Sequence, residues 1–413
     1  MVLAKRKEVH QYSPEQIPYF RIDQDHELAI YTKIDQLPVQ ALNLLEHDDR
    51  LLSKAMFQFT EAHPPAGFQF FYLGFYKDRE LMGLMPYQLF QFSGQKHVQS
   101  VSSDLATGWW KNTRSKVLDW VVDNVDMRIL VGGTMLFTGD YSFVVQASHS
   151  PTNIFDLIDK GVKHLTQHLK NKGLPPHIFV QKDVPEAYTK EADTLLEQGY
   201  AKSPFSPAMR LALDPSWLSF EDYLAALSSK YRVRAKRAKK KATSVAVVEL
   251  GLAEIEMHQS TLYELYKNVV TSSSFNVLDI PSDFFLGFKK AFPDRYRIFA
   301  YFQEGVMIGF FSTLTNGTTM EAHYLGFDTS KNRAHQLYLN MLYEIIRVGL
   351  EERVSLINYA RTSLEIKSSV GAKPHKMWCY YKHRNPLVQA LLPSIINRYS
   401  QEESWVERHP FKQ

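Results

Sequence analysis

The chain states one order of elements twice, and that repetition restricts the fold more than any other property of the sequence. Residues 68–90, FQFFYLGFYKDRELMGLMPYQLF, read as two alternating apolar strands around the polar turn Lys77-Asp78-Arg79-Glu80. Residues 297–314, RIFAYFQEGVMIGFFSTL, repeat that hairpin around Gln303-Glu304-Gly305. Aromatic and aliphatic residues on both sides of each turn are what half-buried strands require. Each half then continues to an amphipathic helix. Phe155, Ile158, Val162, Leu165 and Leu169 mark the first, and Tyr338, Met341, Leu342, Ile345 and Gly349 the second, at spacings of three and four. Each helix leads into an apolar strand, HIFVQ at 177–181 and VSLINYA at 354–360. Hairpin, strand, helix, strand, repeated, predicts an α/β fold with mixed sheets built from two related domains.

A length of 413 residues is enough for two units of roughly 100–200 residues, each burying its own core. The boundary is placed near Asp214-Pro215, ahead of Ser219, which has Asp222 three residues on and reads as a helix N-cap. This gives a polar lead-in over 1–40, a first unit over 41–215 and a second over 216–413.

Several chemistries are excluded by what is missing. The sequence has no GxGxxG or GxxxxGK[ST] phosphate loop, no HExxH, no cysteine pair for zinc and no GxSxG elbow. Gly132-Gly133 follows the strand-like RILV and reads as a tight turn. Chemistry that needs neither a metal nor a covalent nucleophile remains. The one cysteine, Cys379, allows no intramolecular disulfide and fits a reducing compartment. No apolar segment follows the basic start MVLAKRKEVHQYSPEQ, and no run of about 18 apolar residues occurs. A cytoplasmic protein without a membrane span is expected.

Charge concentrates in one place. KYRVRAKRAKKK, residues 230–241, holds eight cations in twelve residues, and Leu224, Leu227, Tyr231 and Ala238 still trace an apolar stripe. One basic amphipathic helix is expected. Its outer faces are either solvated surface or a site for phosphates, with Arg234 and Arg237 the candidate contacts. A tRNA partner would fit the same charge.

The second unit gathers polar groups in an apolar frame. Strand alternation in TMEAHYLGFD, 319–328, places Glu321 and His323 on one face, where a carboxylate and an imidazole could relay a proton. Asp328 to Arg333 reads as a polar loop opening a helix near His335, whose N-terminus suits an anion. Asn332, Arg333, His335 and Gln336 are the candidate cofactor contacts. Beyond the last strand, Thr362 and Glu365 have capping-box spacing, predicting a short helix over 363–370. Arg361 at the strand end and Lys367 on that helix are candidate substrate contacts.

The strings ARTSLEIKSSVGAKP, LSSKYRVRAKRAKKK and LVGGTMLFTGD resemble the GNAT-superfamily acyltransferases of the FemAB-like, double-GNAT kind, over roughly residues 50–385. The resemblance implies two tandem GNAT-like domains and transfer of an acyl group from an activated donor to an amine, on a small molecule or a peptide. Where such domains carry a glycine-bearing [RQ]xxGx[GA] loop, this chain has Asn332-Arg333-Ala334-His335-Gln336-Leu337. The donor therefore stays open between acyl-CoA and aminoacyl-tRNA. Glu321 or His323 would be the base, and Arg361, Lys367, Arg234 and Arg237 would hold anionic groups of donor or acceptor. A leaving-group acid is unassigned, with Tyr338, Tyr380 and Tyr381 candidates by type alone. A pair of domains retained only for binding is the remaining alternative.

Overall fold

A computed structural model describes residues 17–46, 51–93, 126–146, 148–149, 151–271, 277–399 and 405–412. Trp109 and Trp110, which the sequence suggests as packing residues, lie outside them.

Turn chemistry starts each half. Strands β1 (Tyr19–Arg21) and β2 (His26–Tyr31) precede the hairpin of β3 (Gln69–Lys77) and β4 (Glu80–Ser93). The β3–β4 turn has positive φ at Asp78 and Arg79, and the hairpin of the second half has it at Glu304 and Gly305. Two central residues of positive φ match the right-handed twist of the flanking strands, so both hairpins close in the same way. Residues 19–31 correct the expectation of a polar lead-in. Leu28, Ala29, Ile30 and Tyr31 are buried, because β2 pairs with β3 and lays its apolar run on the sheet.

After β5 (Asp126–Gly132) and the short β6 (Val144–Val145), the helix Pro151–Asn171 crosses to β7 (Ile178–Pro185), which pairs parallel with β5. Then follow β8 (Ala201–Ala212), β9 (Ala246–Glu249), β10 (Tyr296–Gln303), β11 (Val306–Asn316) and β12 (Thr319–Phe327). The helix Leu337–Glu351 crosses from β12 to β13 (Leu356–Asn358), again a parallel neighbour. Each half is thus an antiparallel hairpin and third strand, a helical crossover, and a parallel fourth strand. Each crossover helix fills its own core, the first with Phe155, Ile158, Val162 and Leu165, the second with Met341, Leu342, Ile345 and Ile346.

The halves are not merely adjacent. The last strand, β14 (Lys373–His383), lies between β7 and β8, antiparallel to both, while β8 pairs with β13. Among the described residues one 14-stranded sheet results, in the order β1-β2-β3-β4-β5-β7-β14-β8-β13-β12-β11-β10-β9, with β6 beside β4. A third apolar cluster joins the halves off the sheet. Phe59 meets Phe284 and Phe288 edge-on, at ring separations of 5.3 and 4.7 Å, and Leu136 and Phe137 pack into the same cluster. Among the described residues no helix is long and apolar enough to cross a membrane, and no group of three or more His, Cys, Asp or Glu is placed to hold a metal.

Candidate active site

Glu321 stands where two strands stop pairing. The parallel β12–β13 ladder ends at Glu321 opposite Asn358, while β12 continues to Phe327. Beyond Glu321 the alternation of β12 is interrupted. Phe311 pairs with Leu325 but Thr313 pairs with Ala322, so Ser312 faces both His323 and Tyr324. This is a bulge, and it bends the strand away at the point where a cleft opens. The Ser312 hydroxyl closes it, accepting from the Tyr324 amide and donating to the Tyr324 carbonyl, each at 3.0 Å.

Glu321 is only 3% exposed. Tyr141 Oη donates to its Oε1 at 2.6 Å and Asn358 Nδ2 to its Oε2 at 2.8 Å. Burial pushes its pKa up to about 7, against the opposing pull of Tyr141, Arg210 and Asn358. A carboxyl group poised near neutrality in a cleft can hold or release a proton at working pH. The cleft encloses about 320 Å³ and draws its lining from both halves: Asp140, Tyr141 and Asp183 from the first, Glu321, Asn358 and Asn316 from the second, and Arg210 from the shared strand β8.

The segment that carries Tyr141 is pinned at four points. Lys182 Nζ donates to the carbonyls of Thr134 and Phe137 at 2.9 and 3.0 Å. Asn358 Nδ2 also donates to the Thr138 carbonyl at 2.8 Å, and the Gly139 amide donates to Asp183 Oδ2 at 3.4 Å. Gly139 has φ near +148°, and a Cβ there would meet the Tyr141 ring at 2.9 Å and Arg210 Nη2 at 3.3 Å. Behind this segment, Asp183 is fully buried and paired with both Lys182 and Arg361. Burial alone would raise its pKa, but the two cations hold it below the usual carboxylate range.

Several sequence expectations need correction here. His323 does share a face with Glu321, but it makes no proton pair. It lies against Phe137 and Phe288, at ring separations of 5.1 and 4.7 Å, and neither ring nitrogen has a hydrogen-bond partner. Burial drives its pKa down to about 3, so the imidazole is neutral and acts as an apolar wall. Arg361 is turned inward: besides Asp183, its Nε donates to the Ser206 carbonyl at 2.8 Å and its guanidinium lies over Phe205. Lys367 is 5% exposed, and its Nζ donates to the carbonyls of Tyr359, at 2.6 Å, and Arg361. Burial lowers its pKa to about 7, and its ammonium ties down the chain after β13 rather than reaching a ligand. No capping box forms at Thr362. Thr362 and Ser363 both have positive φ, the helix runs Leu364–Ser368, and Glu365 pairs with Arg408. Tyr380 Oη donates to Asp193, and Tyr381 packs with Ile178 and Leu392, so neither is among the residues lining the cleft.

The basic segment is also divided. Ser219 and Asp222 cap a helix over Phe220–Ala226 as expected, but Leu227 is extended, and a separate helix spans Ser229–Lys241. Tyr231, Ala235 and Ala238 of the second helix are buried against the core of the second half. Arg234 and Lys241 line a depression of about 380 Å³ with Asn332, Arg333, Gln336, Tyr338, Leu339 and Ile366. Arg237 is exposed and not part of that lining. The expected loop at 328–333 is helical over Thr329–His335, and Gln336, in the left-handed conformation, joins it to Leu337–Glu351. Asn332 Oδ1 accepts from the Tyr338 amide at 3.1 Å, capping the second helix. His335 turns away, with its Nδ1 3.2 Å from the Lys241 carbonyl. Three cations and the N-terminus of a long helix therefore converge, and the buried Gln336 Oε1 has no partner.

Tyr141, Asn358, Arg210 and Asp140 were missed by sequence reasoning. Asn358 ends an apolar strand, which is a usable signal. Tyr141 and Asp140 come from a segment whose only sequence mark is its spaced glycines.

No family model and no curated protein matches this chain. Solved structures similar to it include FemX, 11% identical, covering 81% of this chain and 96% of that one with a TM-score of 0.48. A tandem GNAT protein from the clavulanic acid biosynthesis pathway, in a structure without AcCoA, is 11% identical, covering 88% of this chain and 99% of that one with a TM-score of 0.49. A conserved protein from Enterococcus faecalis described as a probable N-acyltransferase is 9% identical, covering 87% of this chain and 72% of that one with a TM-score of 0.45.

Proposed function

We propose that this protein is an N-acyltransferase that moves an acyl group from an activated donor to an amine, with Glu321 as the base. The observation that carries this is the buried Glu321 carboxyl, held by Tyr141 and Asn358 and raised to about 7, at the point where β12 and β13 part. An amine must shed a proton as it attacks an acyl carbonyl. A base with a pKa near the working pH combines the right protonation state with sufficient driving force. Backbone amides freed where the strands part would be available to the tetrahedral oxyanion.

The depression lined by Arg234, Lys241 and Arg333 is the proposed seat of the donor's anionic part. Its cations and helix N-terminus fit a pyrophosphate, as an acyl-CoA would supply. A second reading is favoured by one observation: Lys236, Arg237, Lys239 and Lys240 are exposed on the same helix, outside the depression. A longer polyanion such as aminoacyl-tRNA would use them. Purified protein is to be assayed for acyl transfer from acetyl-CoA to an amine panel, beside Glu321→Gln, with donor binding followed as thermal stabilisation. Transfer lost in Glu321→Gln, with coenzyme A stabilisation retained, supports the proposal. Stabilisation by aminoacyl-tRNA alone, falling steeply with salt, selects the second donor. If Glu321→Gln leaves the biological role intact, the catalytic reading fails and a binding module is left.

A further inference from the structure

Arg210 does no more in the chemistry above than pull down the Glu321 pKa, yet it faces the same cleft. Glu321 on β12 pairs with Asn358 on β13, and Asn358 pairs with Arg210 on β8. Directly opposed residues of neighbouring strands share a face, so the three form one row across the floor of the cleft. Neighbouring strands lie about 4.8 Å apart, so the ends of the row are about 10 Å apart at the backbone.

The guanidinium is incompletely used. Its terminal nitrogens reach Asp140 at 3.3 and 3.5 Å, while its Nε is buried without any partner. A buried donor left unpaired is costly, and an arginine offers Nε and Nη as a fork matched to a planar two-oxygen anion. Gly139 keeps the space beside Nη2 open, since a Cβ would come within 3.3 Å of it. Other charges near the row are already answered. Asp183 is neutralised from behind by Lys182 and Arg361, and Asp140 has His375 at 3.5 Å as well as Arg210. With Glu321 and Asp140 on the same floor, a singly charged anion suits the place better than a doubly charged one. At about 320 Å³ the cleft is at the small end of ligand sites.

The geometry points to an acceptor that carries a carboxylate as well as its amine, an amino acid or short peptide, with the carboxylate forked by Arg210 and the amine presented to Glu321. The amine half rests on the acyl-transfer reading; the carboxylate half rests on Arg210 alone.

Binding is measured by ligand-observed NMR on the full chain, using free amino acids, the same amino acids as C-terminal amides, and inorganic phosphate. The expected result is binding of acids at least tenfold tighter than of the matching amides, loss of that preference in Arg210→Gln, and tighter binding of acids in Asp140→Asn, which removes the competing carboxylate. Should Arg210→Gln fail to fold, Asp140→Asn carries the test, because Asp140 is 45% exposed. Equal binding of acids and amides, no binding of any acid, or phosphate binding as tight as the acids overturns the inference. Acyl transfer to the same panel is scored separately. Acid-selective binding without transfer would sink the acyl-transfer reading and leave the Arg210 site standing, whereas transfer to amides as fast as to acids would do the reverse.

Discussion

The two halves reach the same junction by the same route and finish it differently. In each, a parallel pair of strands follows a helical crossover: β5 with β7, ending at Gly132 opposite Gln181, and β12 with β13, ending at Glu321 opposite Asn358. At the first junction a glycine stands where the second has a carboxylate. Gln181 presses over it, so that a Cβ on Gly132 would meet Gln181 Oε1 at 2.2 Å, and Gly133 turns the chain away with φ near +107°. Beside this junction the buried Asp183 carboxylate is paired with both Lys182 and Arg361. At the second junction the carboxylate faces a cleft, and its neighbour Arg210 keeps an unpaired Nε. A repeated fold can thus finish one junction in two ways: the first is filled by Gln181, whose buried amide also lacks a partner, and the second is left open to a cleft with a carboxylate at its floor.

Glu321→Gln strikes the open junction hardest. Acyl-transfer kcat/KM is expected to fall on the order of 10²–10⁴-fold, the range for loss of a general base. A loss below tenfold would remove Glu321 from the chemistry. In the wild type kcat/KM is expected to rise with pH through about 7, as the carboxylate becomes the proposed reactive form.

Asp183→Ala strikes the filled junction. Leaving Lys182 and Arg361 buried without their carboxylate is expected to cost about 3–5 kcal/mol, read as a lower denaturation midpoint. A change under 1 kcal/mol would mean that the clamp does not hold the halves together.

The stability difference between wild type and Glu321→Gln is expected to depend on pH in a definite sense. The folded pKa lies above the usual 4.5, so the native state binds a proton that the unfolded chain has released. That stabilisation is complete below about pH 4.5 and is lost as pH rises to about 7. Chemical denaturation from pH 4.5 to 8 would show it, and a flat difference would argue against a buried ionising group.

Tyr141→Phe is the mildest of the four. It removes one hydrogen bond to the carboxylate, worth about 1.5–3 kcal/mol when the group is ionised. Because that bond favours the ionised form, the pH profile should move upward. A downward shift would contradict the assigned geometry.

The hairpins and crossover helices were legible because local chemistry decides them. Two-residue turns, period-two strands and apolar residues at three and four identify themselves in any sequence. Glu321 could be singled out as an acidic residue inside an apolar strand, and the structure places it on the cleft. What could not be read depends on partners far along the chain. The bulge opposite Ser312 follows from pairing with β11, and the inward turn of Lys367 follows from carbonyls freed after β13. Tyr141 reaches Glu321 across 180 residues of sequence. The break at Leu227 escaped notice because Leu227 is completely buried and continues the apolar stripe without continuing the helix.

The position of β14 has a consequence for how the molecule comes into being. Residues 373–383 are made after every other described strand, yet they belong between β7 and β8. On the ribosome, at about 5–20 residues per second, the growing chain would hold two neighbouring strand edges unpaired until its last strand emerges. Unpaired edges recruit whatever strand is at hand. A fragment released after residue 215, at the proposed boundary between the units, should therefore associate with chaperones or with its own copies. Supplying the 373–383 segment in trans should suppress that association.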